Sequence, residues 1–115
     1  MRVATYLRVS TDQQSTENQR REIASYLDAR GWTMSRVEYC DEAISGVTER
    51  RAALDRLLVD ARRRRLDTVV MCSLDRIGRS LKHLIVTLEE LQQLGIAVIS
   101  LRDGLDLSTA AGRLQ

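Results

Sequence analysis

The chain is expected to fold as a three-layer α/β/α domain around a mainly parallel sheet of four to five strands. Three observations predict this. Apolar runs of strand length alternate with segments of helical period along the 115 residues, an order that favours parallel strands joined by crossover helices. Thr68 to Ser73 is almost wholly apolar, as a strand buried on both faces should be. Gly31 and Gly95 stand just after helical segments, where a helix needs a stop, and the chain contains no proline.

Each element follows in turn. Arg2 to Val9 reads as the first strand. Thr16 and Gln19 have the spacing of a capping box and are expected to open the first helix, which turns Ile23, Tyr26 and Leu27 to one side and ends at Gly31. Met34 to Cys40 reads as the second strand, followed by a polar loop from Asp41 to about Arg50. Leu54, Leu57, Leu58 and Ala61 recur at helical spacing. After the strand at 68–73, Ser80 is placed to cap a helix whose Leu81, Leu84, Ile85, Leu88 and Leu91 form an apolar stripe. Ile96 to Leu101 is a fourth strand, Asp103 to Leu107 a turn or a short fifth strand, and Ser108 or Thr109 the start of another helix.

A length of 115 residues suits one domain with one real core. With 43% hydrophobic and 30% charged residues, the composition is that of an ordinary soluble protein. Arg8 interrupts the only apolar run near the start, so a signal peptide is not expected. No stretch approaches the roughly 20 apolar residues of a membrane span. The expected location is therefore the cytoplasm, with no membrane partner. Cys40 and Cys72 lie in separate apolar runs with no metal-ligand spacing, so both read as small core residues. The net charge of +2 points only weakly to nucleic acid, but 17 of the 18 basic residues are arginine, with Lys82 the exception. Arginine is the better side chain for forked contacts to phosphate, although biased base composition in the gene gives the same pattern.

Parallel sheets bind ligands beyond the carboxyl ends of their strands, where the strand order reverses. The first strand ends in Arg8-Val9-Ser10, the second leads towards Ser45-Gly46 and Arg50-Arg51, and the third ends in Asp75-Arg76-Ile77-Gly78-Arg79. One hydroxyl-rich segment and several arginines are thus brought to one edge. Phosphoryl transfer draws most of its catalysis from positioning and positive charge, which two or three arginines supply with no metal and no cofactor. Taken singly, each residue has a duller role. Ser10 can be a turn residue, Arg76 and Arg79 surface charges, Asp75 the partner of one of them, and Ser45-Gly46 a flexible turn. Arg62 to Arg65 read as a solvated run at a helix end, and His83 as a lone helical histidine with no function.

Together the motifs are specific. Tyr6-Leu7-Arg8-Val9-Ser10-Thr11-Asp12-Gln13-Gln14 resembles the opening motif of the serine recombinases, the resolvase and invertase family. The similarity continues through Gln19, Ala43-Ile44-Ser45-Gly46, Arg51 with Leu54, Leu74 to Arg79, and Asp106 to Arg113. It implies a resolvase-like sheet of order 2-1-3-4, with an antiparallel fifth strand if one forms. It implies that Ser10 attacks a DNA phosphodiester and becomes linked to the 5′ phosphate, leaving a 3′ hydroxyl. Arg8, Arg76 and Arg79 would hold the phosphate. Arg51 fits the family's further arginine better than Arg50, because Leu54 follows at the family's spacing. Gln14, Gln19, Ser45 and Asp75 would support the site or contact DNA. The covalent phosphoserine conserves the bond energy, so rejoining needs no ATP. No histidine lies in the motifs, and the group that takes the Ser10 proton stays open: Asp75 can act as acid or base, or orient an arginine.

The resemblance also implies a catalytic domain over residues 1–107, the start of a dimerisation helix at 108–115, and a carboxyl-terminal DNA-binding part that this sequence lacks. Full-length relatives would act on DNA as dimers that pair into tetramers. This segment alone is expected to bind DNA weakly and to recombine poorly. Two other functions share the fold plan. A phosphoacceptor signalling domain would need acidic residues at the end of the first strand, where Arg8 and Ser10 stand instead. A non-catalytic assembly module would have no need of Ser10 and the arginines at one edge.

Overall fold

In the computed structural model the chain forms one five-stranded sheet between two helical layers. The structure describes residues 2–9, 13–32, 36–42, 52–74 and 81–107. The elements are β1 (Val3–Val9), α1 (Gln13–Arg30), β2 (Arg36–Glu42), α2 (Ala52–Arg62), β3 (Thr68–Met71), α3 (Leu81–Gln93), β4 (Ala97–Ser100) and β5 (Leu105–Leu107). The strand order is β2-β1-β3-β4-β5. The first four strands run parallel, and β5 pairs antiparallel with β4. This is the predicted order, with the fifth strand formed.

Side chains alternate across the pleat and divide the core in two. Ala4, Tyr6, Tyr39, Val69, Met71 and Val98 face Leu54, Leu57 and Ala61 of α2 and Leu91 of α3. Val3, Leu7, Val70, Cys72 and Ile99 face Ile23 and Leu27 of α1. Thus α1 covers one face, and α2 and α3 the other. Among the described residues no helix is long and apolar enough to cross a membrane. Cys72 is buried as expected and Cys40 is half-buried, and neither forms a disulfide.

Several boundaries depart from the sequence reading. Helix α1 begins at Gln13, so Thr16 and Gln19 lie inside it and their spacing is not a capping box. Nothing in Gln13-Gln14-Ser15 breaks a helix, so the helix runs on past that spacing. Strand β2 continues through Asp41 and Glu42, which were expected in a loop, because parallel pairing with Arg8 and Val9 carries it on. On α3 the predicted stripe is borne out in part: Leu84 and Leu88 pack against the core beside buried Leu91, but the buried side is rotated away from Leu81 and Ile85. Leu91 and Thr87 are buried, whereas Leu81 and Ile85 are 72% and 45% exposed. The Thr87 hydroxyl makes its burial possible by donating to the His83 carbonyl at 2.9 Å. Ser80 and the helix expected at Ser108 or Thr109 lie outside the described residues.

The helix ends are informative. Gly31 and Gly95 follow α1 and α3 with φ of +72° and +77°, and Arg64 holds the matching position after α2 at +59°. That left-handed backbone costs a non-glycine residue roughly 1 kcal/mol. In return the Arg64 guanidinium donates to the Leu94 carbonyl beyond α3 at 3.4 Å. Arg62 to Arg65 are all exposed, in keeping with a solvated run.

Candidate active site at the carboxyl ends of the strands

The strand order reverses between β1 and β3, since the chain steps from β1 out to β2 and then back past β1 to β3. Open parallel sheets bind their ligands at such a reversal, here at the carboxyl ends of β1 and β3. Arg8 lies at this end of β1. It is half-buried, is paired in register with Asp41 of β2, and shares the face of Tyr6.

Asp41 organises this edge. It is 6% exposed, and its carboxylate accepts three hydrogen bonds. The Tyr6 hydroxyl donates at 2.8 Å, the Ala53 amide at 2.8 Å and the Leu54 amide at 3.0 Å. Ala53 and Leu54 belong to the first turn of α2, whose amides have no partner within the helix. A carboxylate from a neighbouring strand therefore does the work of an N-cap and meets the positive end of the helix dipole. The same side chain closes the base of the connection 43–51, since Asp41 stands just before it and Ala53 just after it. Sequence reading missed this role. The usable signal was negative: Glu49-Arg50-Arg51 offer α2 none of the favoured cap residues, so its cap has to come from elsewhere.

The exit of β3 is held from the other side. Leu74, the residue before Asp75, donates its amide to Asp103 Oδ2 at 2.8 Å, and the Ser100 hydroxyl donates to the same oxygen at 2.6 Å. The Ser100 hydroxyl and then the Leu74 amide hold the Asp103 carboxyl below its ordinary range.

Gln19 approaches from the α1 face. It is 2% exposed, its carbonyl takes a weak hydrogen bond from Cys72 Sγ at 3.7 Å, and its Oε1 is buried with no hydrogen-bond partner among the described residues. Gln14 lies in the first turns of α1. Ser10, Ser45, Arg51, Asp75, Arg76 and Arg79 lie outside the described residues. The structure therefore brings together the strand ends that lead to these residues, with Arg8, Asp41 and Gln19 around them.

A parallel sheet of order 2-1-3-4-5, with an antiparallel last strand and arginine at the end of its first strand, defines a resolvase-type α/β domain. Residues 3–115 match the family model described as "Resolvase, N terminal domain". The chain belongs to that family. It is 39% identical over 108 residues to the DNA-invertase of Escherichia phage P1, which covers 94% of this chain and 53% of the invertase. It is 40% identical over 116 residues to the Transposon Tn2501 resolvase of Escherichia coli, covering 98% of this chain and 57% of the resolvase. The chain thus spans little more than half the length of these relatives. Among solved structures, the N-terminal catalytic domain of TP901-1 integrase superposes with a TM-score of 0.80 at 35% identity, over 99% of this chain and 87% of that one.

Proposed function

We propose that this domain is the catalytic part of a serine-type, site-specific DNA recombinase, with Ser10 as its nucleophile. The observation that carries the proposal is the strand order within a resolvase-family domain. The adjacent carboxyl ends of β2, β1 and β3 lead directly into the connections that hold Ser45 and Arg51, Ser10, and Asp75, Arg76 and Arg79. Ser10 Oγ attacks a DNA phosphorus. An Oγ–P bond forms, the bond from phosphorus to the 3′ oxygen breaks, and that oxygen leaves with a proton as the 3′ hydroxyl. Arg8, Arg76, Arg79 and Arg51 hold the non-bridging oxygens as charge builds on them, and Gln14, Gln19 and Ser45 support the site or the DNA. Attack by the 3′ hydroxyl of a new strand on the phosphoserine then restores a diester and frees Ser10. The full-length protein acts on DNA as a dimer and pairs two sites as a tetramer in the cytoplasm. The family match favours this function over phosphoacceptor signalling or passive assembly.

The test uses the full-length protein with sheared genomic DNA of its own source. After denaturation, covalently attached DNA is recovered and sequenced, and the peptide that carries it is identified by mass spectrometry. The expected result is a nucleotide adduct on the Ser10 peptide that is lost in Ser10→Ala. An adduct that persists in Ser10→Ala overturns the assignment.

A further inference from the structure

The connection 75–80 carries three of the proposed site residues, so the point where it leaves the sheet matters to the chemistry. Strand β3 is only four residues long and ends at Met71. Beyond it, the turn between β4 and β5 grips the chain step by step. The Leu101 amide donates to the Met71 carbonyl at 3.0 Å, and the Arg102 amide to the Cys72 carbonyl at 2.7 Å. The Leu74 amide then donates to Asp103 Oδ2 at 2.8 Å. The first two contacts join backbone to backbone at and just beyond the last β3–β4 pair, Met71 with Ser100. The third replaces a backbone carbonyl with a side chain, so it alone depends on which residue stands at 103. The turn is shaped to present that side chain. Gly104 takes a left-handed φ of +61°, and the Ser100 hydroxyl braces the same carboxylate oxygen at 2.6 Å.

We propose that Asp103 is a positioning residue for DNA cleavage: through the Leu74 amide it sets where the connection bearing Asp75, Arg76 and Arg79 departs from the sheet. Water can satisfy the Leu74 amide when the carboxylate is gone, so the fold survives, but water does not specify a position. Arginines that serve a transition state lose effect steeply when displaced, and about 1 Å of misplacement can cost on the order of a hundredfold in rate. This role rests on the recombinase function proposed above.

The test measures covalent adduct formation by the full-length protein in a single turnover, on a duplex made from the DNA recovered with the wild type. Asp103→Ala is expected to slow adduct formation at saturating DNA by about tenfold to a hundredfold, with the Kd for DNA essentially unchanged. Asp103→Asn keeps an oxygen able to accept from Leu74 and should restore most of the rate. Ser100→Ala removes the brace on that carboxylate but leaves the carboxylate itself, and should slow adduct formation clearly less than Asp103→Ala. Hydrogen exchange at the Leu74 amide should accelerate in Asp103→Ala and not in Asp103→Asn. A folded Asp103→Ala protein that cleaves at the wild-type rate overturns the proposal. So does a Ser100→Ala protein that is as slow as Asp103→Ala, because the turn itself would then be what matters. A wild-type protein that forms no adduct overturns the recombinase function, and the role of Asp103 with it.

Discussion

The two edges of the sheet use the same pairing, carboxylate to backbone amide, in different surroundings. At the carboxyl edge, Asp41 is 6% exposed and holds Tyr6, Ala53 and Leu54 at once. At the amino edge, Asp67 accepts from the Arg2 amide at 2.7 Å and from its side chain, but its own side chain is 45% exposed. Arg62 and Glu90 likewise form a forked pair near the surface. Water competes for every partner at the amino edge and for none at Asp41. Similar contacts therefore differ in worth. Buried, the carboxylate adds substantially to the stability of the fold; exposed, it adds little to stability.

The largest expected effect is at Asp41. Asp41→Ala should cost about 3 kcal/mol in urea unfolding, because it strands two amides and a buried hydroxyl. Adding Tyr6→Phe to that variant should recover about 1 kcal/mol by removing the orphaned hydroxyl. A loss for Asp41→Ala no larger than that at the amino edge would erase the contrast.

Tyr39 gives an intermediate case between the two edges. Its hydroxyl donates to Asp60 of α2, and burial followed by that hydrogen bond pushes its pKa up to about 12. Tyr39→Phe should cost about 1–2 kcal/mol. The raised pKa means the contribution is complete below the ordinary value of 10.0 and is lost as pH rises through about 12. Unfolding of the wild type and Tyr39→Phe should therefore converge in strong alkali. A gap that stays constant above pH 12 would show that the hydroxyl does not supply it.

The smallest effect is at the amino edge. The Arg2 amide and side chain hold the Asp67 carboxyl below its ordinary 3.8. Half-exposed as it is, Asp67→Asn should cost less than about 1 kcal/mol at neutral pH. A depressed pKa gives stability that is present above 3.8 and disappears as pH falls through the lower folded value. The difference between wild type and variant should vanish in acid and shrink with added salt.

Legibility followed how local each signal was. Strand β3 was evident from its apolar run and the ends of α1 and α3 from Gly31 and Gly95, because burial on both faces and a left-handed stop each leave a mark within a few residues. The stripe on α3 was legible only in part, since Leu84, Leu88 and Leu91 pack on the core and Leu81 and Ile85 do not. Leucine or isoleucine at 81, 84, 85, 88 and 91 fits a helical period, but which part of that arc meets the sheet depends on how the helix docks, and Thr87 is carried inside. The start of α1 misled, since a capping-box spacing also occurs inside helices.

For the candidate site, the strand that each motif follows was readable, because the motifs sit at fixed spacing after strands. Asp41 and Asp103 were not. Their partners, Leu54 and Leu74, lie 13 and 29 residues away in sequence, and no periodicity links a carboxylate to a distant amide. The sequence by itself determined the succession of strands and helices and which strand each motif follows, since both rest on neighbouring residues. Only the tertiary structure decided which carboxylates hold the connections, because that depends on strand order bringing separated segments within hydrogen-bond reach and, at Asp41, on burial excluding the water that would otherwise compete.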